Sequence, residues 1–153
     1  MPLPASTDSR TPRINLPYLF AGQAQKEAFV NEALARLDAL VPASVLAERS
    51  DPPAAPLDGD SYLVAAVPSN AWAGHAGSLT VWAANQWLFC PPRQGACVFD
   101  IATRCLARYD ADAGWVRHPA PASPTGGTTV DSEARTAIAA VVSRLREAGI
   151  FSG

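Results

Sequence analysis

Two histidines, three cysteines and one tight aspartate pair are the side chains of this sequence best suited to chemistry. His75 and His118 stand far apart, and neither lies in a His-Glu-x-x-His context. The nucleophile-elbow, Walker A and dinucleotide-fingerprint patterns are also missing. Cys90, Cys97 and Cys105 are odd in number, and their spacing matches no common zinc pattern, so they read as reduced core thiols. Asp58 and Asp60 flank Gly59. Two nearby carboxylates suit glycoside hydrolysis, but Asp-Gly-Asp ahead of an apolar run is the chemistry of a turn. The expectation is a chain that is not an enzyme, with no metal and no cofactor.

Binding is better supplied than catalysis. Trp72 and His75 fall in a stretch of small and polar residues, Ser69 to Gly77. A ring and an imidazole on such a loop are the natural contacts for a glycan or a partner protein. Trp82, Trp87 and Trp115 are expected in the core instead, because a small β domain needs large side chains to fill it.

Periodicity predicts the elements that must carry these residues. Residues 1–13 are polar and read as a flexible arm. An N-terminal helical segment spans 14–41, with a helix from Gln23 to Val41. Val30, Leu34, Leu37 and Val41 share one face of that helix, and Glu27, Asn31, Arg36 and Asp38 lie mainly elsewhere. Pro42 helps to stop it. Residues 42–60 hold Pro42, Pro52, Pro53 and Pro56 and read as a stiff, extended connector.

Residues 61–118 read as a β domain of five or six short strands, with a hairpin loop at Ala83–Gln86. Two hairpins echo each other: Trp82, a turn, then Trp87; and Tyr109, a turn, then Trp115. Residues 119–129 form a Pro/Ser/Thr/Gly linker, and a second helix covers 130–150, capped by Asp131 or Ser132 and ended by Gly149. Its seam is Ala134, Ile138, Val141, Leu145 and Ala148, which must pack on its own domain or on copies of itself. The predicted fold class is α+β: a small antiparallel β barrel or sandwich flanked by an N-terminal and a C-terminal helix.

Composition narrows the partners. The 153 residues carry a net charge of −2 and a pI near 5.6, which argues against a broadly basic nucleic-acid surface. No apolar run is long enough to span a membrane, and the first ten residues lack the apolar core of a signal peptide. The chain is therefore expected to be made in the cytoplasm. Only 17% of residues are charged, against ~25% in typical soluble domains. Surface so thinly charged is suited to burial against other subunits.

Several strings in this chain are unusual: Leu16-Pro17-Tyr18, Ala21-Gly22-Gln23-Ala24-Gln25-Lys26-Glu27, Asn31-Glu32-Ala33-Leu34, Leu37–Val41, Asp58-Gly59-Asp60 with Tyr62-Leu63-Val64, and Ala71–Gly77, followed by Trp82, Trp87-Leu88-Phe89 and Pro91-Pro92. Together they resemble an uncharacterised family carried by alphaproteobacterial prophages and gene transfer agents, near spike and tail-fibre genes. The resemblance runs from residue 14 to about 150. It implies a virion structural protein: the base or adaptor of a head spike or fibre on a phage-like particle, serving host attachment. This chain, without a fibre section, reads as the attachment module.

The implied partners are further copies of itself, a capsid or baseplate protein and a spike or fibre protein. A pentamer at a capsid vertex is favoured over a trimer. Tyr18, Phe20, Gln23, Gln25, Ile138, Val141 and Leu145 are the expected subunit interface. The alternative is a glycan-binding module for surface polysaccharide, using Trp72 and His75.

Overall fold

The computed structural model describes residues 10–19, 26–41 and 43–152. Helix α1 spans Glu27–Leu40 and helix α2 spans Ser132–Glu147. Between them run eight strands: β1 Ser44–Val45, β2 Glu48–Arg49, β3 Ser61–Val64, β4 Leu79–Ala83, β5 Gln86–Cys90, β6 Cys97–Asp100, β7 Cys105–Asp110 and β8 Gly114–Val116. One sheet has the order β1-β6-β7-β8 and the other β2-β3-β4-β5. The α+β class holds, with helices at both ends of a small β region. The sheets do not close into a barrel, and each is mixed rather than antiparallel, because β1 pairs parallel with β6 and β2 parallel with β3.

Those two short strands fall inside the segment expected to be only a connector. They follow each other at once, yet they belong to different sheets. The Phe99 and Ile101 amides donate to the carbonyls of Ala43 and Val45 at 2.9 Å each. Over the next two residues, the Leu46 amide donates to the Ser61 carbonyl (2.8 Å) and the Ala47 carbonyl accepts from the Leu63 amide (3.0 Å). Residues 43–49 thus stitch the two sheets together. The prolines Pro52, Pro53 and Pro56 come only after this stretch, where no ladder amide is needed. The β region therefore begins at Ser44 rather than at 61.

One core joins both sheets to α1. It contains Val45, Val98 and Ala107 from the first sheet, Leu63, Leu79, Val81 and Leu88 from the second, and Ala35 and Ala39 from α1. Alternate strand residues supply it, as in Cys105 and Ala107 buried beside exposed Leu106 and Arg108. The two similar hairpins lie one in each sheet. Trp82 is directly opposite Trp87, with ring centroids 5.0 Å apart, and Tyr109 is opposite Trp115 at 5.3 Å. Such edge-to-face pairs stabilise hairpins by roughly 0.5–1.5 kcal/mol each. The first turn is tighter than expected: Ala84 and Asn85 alone form it, both at positive φ, the geometry whose twist matches the strands.

Candidate functional site

The residues with catalytic chemistry do not converge. His75 is exposed and stacked flat on Phe89, with ring centroids 3.7 Å apart. His118 is also exposed, and its backbone carbonyl accepts from the Ser152 amide (2.9 Å). Cys90 and Cys105 are buried free thiols and Cys97 is an exposed one, against the expectation that all three would be core residues. Burial pushes the Cys90 thiol up, partly offset by Arg36 nearby. Asp58 and Asp60 are turn residues: Asp60 Oδ2 accepts from the Leu57 amide (3.0 Å) and Asp58 Oδ1 from the Ala84 amide (3.2 Å). Among the described residues no cluster of His, Cys, Asp or Glu has the arrangement to hold a metal ion.

Trp72 is fully buried, contrary to its expected role as an exposed contact. A short 3-10 turn at Asn70–Trp72 folds its ring onto the outer face of the second sheet, against Tyr62, Val64 and Trp87. It anchors the loop and presents no ring face to a ligand. Trp82, Trp87 and Phe89 are half-buried on that sheet, and exposed His75 lies beside them. Trp115 packs at the edge of the main core, and its Nε1 donates to the Gly77 carbonyl (2.8 Å).

The informative surface lies on the helices. In α1 the buried residues are Asn31, Ala35, Asp38 and Ala39. The expected apolar face points the other way. Phe29, Val30, Leu37, Leu40 and Val41 are all exposed, Phe29 by 80%, and only Leu34 packs against the core. At 100° per residue the exposed five fall within a stripe about 120° wide.

The reason is polar. Asp38 Oδ1 accepts from Thr11 Oγ1 (2.6 Å) and the Ile14 amide (2.7 Å), and Oδ2 accepts from the Arg13 amide (2.9 Å). Asn31 clasps Leu19 in both directions, accepting from its amide (2.7 Å) and donating to its carbonyl (2.8 Å). Residues 10–19 are thereby bound along the inner face of α1. Arg10–Arg13, expected to belong to a flexible arm, are the described part of residues 1–13, and Thr11 is buried there. Sequence reasoning set Asn31 and Asp38 aside as off-face polar residues. Their spacing of seven on the face of Ala35 was the available signal.

Tyr18 is buried in the core cluster rather than offered to a partner. Its phenol is pushed up to about 12, first by burial and then by the charges of Asp38 and Asp58. Phe20, Gln23 and Gln25 lie outside the described residues. Helix α2 has no buried residue. Ile138 and Val141 are 48% and 57% exposed, Ala134 and Ala148 are exposed, and Leu145 is half-buried. Asp131 caps the helix, its Oδ1 accepting from the Ala134 amide (2.8 Å).

Helix α2 is held at its C-terminal end, where the Leu106 amide donates to the Gly149 carbonyl (2.7 Å) and the Ile150 amide to that of Leu145 (2.9 Å). Arg135 ties its first turns to the linker through the carbonyls of Pro124 and Gly126. A cleft of about 370 Å³ opens between the sheets beside the end of α1, lined by Leu40, Ala43, Cys90, Pro92, Val98 and Trp115 among others. No described helix is long and apolar enough to cross a membrane.

A family model described as "Protein of unknown function (DUF2793)" matches residues 30–116, more than half of the chain. The match begins inside α1, takes in all eight strands and stops at the end of β8. No curated protein and no solved structure matches the chain.

Proposed function

The chain belongs to the DUF2793 family, and from there we propose that it is a structural adaptor of a phage-like particle, the base of a head spike or fibre. One observation carries the assembly part of this reading: both helices present unpartnered apolar residues to solvent, Phe29, Leu37 and Leu40 on α1 and Ile138 and Val141 on α2. Exposed apolar surface of this extent marks a protein–protein interface. The resemblance of the Gly22–Glu27 and Trp72–His75 strings to prophage and gene-transfer-agent proteins supports the particle. In this reading copies of the chain assemble with each other, a pentamer at a capsid vertex being favoured over a trimer. The capsid or baseplate lies on one side and the spike or fibre protein on the other.

The test is biochemical. Particles purified from producing cells on a density gradient should contain this chain by mass spectrometry. A strain lacking it should yield particles without their spikes or fibres by electron microscopy. Particles that never contain the chain would sink the proposal.

A glycan-binding module is the second reading, favoured by one feature. The half-buried row Trp82, Trp87 and Phe89, with His75 stacked on Phe89, forms an aromatic patch on the outer sheet face. Rings of this kind stack on sugars. If this reading is right, Trp82→Ala abolishes retention on surface polysaccharide while assembly is unchanged. Undiminished retention removes it.

A further inference from the structure

We propose that the outer face of the first sheet, where it meets the end of α2, binds an acidic segment of a partner protein. This rests on the adaptor reading for the partner being a protein, and it adds the chemistry of the contact. Strands β6 and β7 alternate, so Phe99, Leu106 and Arg108 share the face turned away from the core. Phe99 and Leu106 are direct cross-strand partners, and both are exposed. Arg104 lies in the turn between those strands and Arg146 near the end of α2. Together with Phe99, Thr103, Glu147 and Phe151 they line an open cavity of about 340 Å³. Both walls are fixed. Asp100 Oδ1 pins the turn by accepting from the Ala102 (3.0 Å) and Thr103 (3.2 Å) amides. Gly149 pins the end of α2, its carbonyl accepting from the Leu106 amide and its backbone packing against the Phe99 ring.

Charge selects the occupant. Arg104, Arg108 and Arg146 enter no salt bridge among the described residues. The nearby acidic groups are engaged elsewhere. Glu147 accepts from Arg144 Nη1 (2.6 Å) and Ser143 Oγ (3.3 Å). Asp110 accepts from Gln94 (3.2 Å) and from the Asp112 and Ala113 amides (3.1 Å each), and the charge of Arg108 is the smallest influence on it. This face is therefore locally positive on a chain whose net charge is −2. Forked guanidiniums match carboxylates, and the phenyl rings beside them match apolar side chains. Leu106 and Ile150, both exposed, extend the apolar surface beyond the cavity lining. That extent suits a peptide of mixed acidic and apolar side chains rather than a small anion. Nucleic acid has the same sign of charge, but an acidic chain offers it no broad basic surface. Arg104 also has a φ of +56°, a region that glycine enters freely and arginine does not. The turn thus holds a guanidinium where glycine would be unstrained, which lets binding be separated from folding.

The experiment titrates the isotope-labelled full chain with the acetylated, amidated peptide Glu-Leu-Glu-Leu-Glu and follows amide shifts by NMR. Shifts should concentrate at Phe99, Arg104, Leu106, Arg108 and Arg146. The peptide Gln-Leu-Gln-Leu-Gln should move none of them. Arg104→Gln and Arg146→Gln should each weaken binding about tenfold, the loss of one charge-assisted contact. Arg104→Gly should weaken it equally while the thermal midpoint holds or rises, because the backbone strain leaves with the side chain. An arginine with only a structural role would instead lose stability in that variant.

Absent shifts at millimolar peptide, equal shifts with the glutamine peptide, or unchanged affinity in the arginine variants overturns the proposal. Tighter binding of an oligothymidylate of the same charge would overturn it in favour of nucleic acid. Particles that lack the chain sink the adaptor reading, whatever the peptide does. A chain present in particles but blind to the peptide loses this surface alone.

Discussion

Thr11 Oγ1 donates a hydrogen bond to Asp38 Oδ1 at 2.6 Å, and both side chains are buried. This contact turns α1 around. It brings residues 10–19 against the helix and makes its polar side the inner side. Asp38→Ala should destabilise the fold by about 2–4 kcal/mol, because the amides of Arg13 and Ile14 and the Thr11 hydroxyl lose their acceptor together. Urea unfolding measures this. A cost under ~1 kcal/mol would show that the segment is held by other contacts.

Tyr18 gives a pH signature. Its folded pKa is raised from 10.0 to about 12. Above pH 10 the unfolded phenol releases its proton while the folded one keeps it, so the unfolded state binds fewer protons and stability falls as pH rises. The contribution is fully present below pH 10 and is lost through pH 12. Denaturant midpoints between pH 9 and 12 should drop more steeply for wild type than for Tyr18→Phe. Parallel profiles would contradict the assignment.

Arg117 joins the two sheets. Its Nε (2.9 Å) and Nη2 (2.5 Å) donate to Asp100 Oδ2 in β6, and its Nη1 donates to Glu48 Oε2 in β2 (2.8 Å). Burial works against its charge, but the hydrogen bonds and charges of Glu48 and Asp100 outweigh it and hold the guanidinium's pKa above its ordinary value. Removing one partner from a largely buried ion pair costs about 3–5 kcal/mol. Asp100→Ala should approach that figure. Glu48→Ala, at the exposed rim, should cost under ~1 kcal/mol. Equal losses in thermal unfolding would mean that the two arms are not distinguished by burial.

Gly149 secures the end of α2. Its φ is +73°, and an added Cβ would come within 2.8 Å of the Phe99 ring. Gly149→Ala should cost about 1–2 kcal/mol through the left-handed backbone alone, with more from the displaced ring. Hydrogen exchange should then rise at Leu106, whose amide donates to the Gly149 carbonyl. Unchanged protection at Leu106 would mean that the dock survives the substitution.

Much of the framework was legible in the sequence. The six strands from Ser61 onward, both hairpins with their aromatic pairs, the Asp-Gly-Asp turn and the Asp131 cap follow from local alternation, turn residues and capping chemistry. Strands β1 and β2 were not legible. Two residues each are too few for any period to show, and their existence depends on partners some 15 to 55 residues away. Trp72 was misplaced for a related reason: a loop of small residues says nothing of the sheet face its one large ring will cover.

The helices mark the division most clearly. The sequence by itself determined that α1 and α2 are helices, each with an apolar stripe. Only the tertiary structure decided which way those stripes face. In α1, Ala35 and Ala39 let the helix approach the sheets closely, while Asn31 and Asp38 capture the preceding backbone. The larger Phe29, Leu37 and Leu40 are left outside. Periodicity records that a helix has two sides. Which side is inner depends on buried hydrogen bonds to residues 10–19, and these exist only once the chain has folded back on itself.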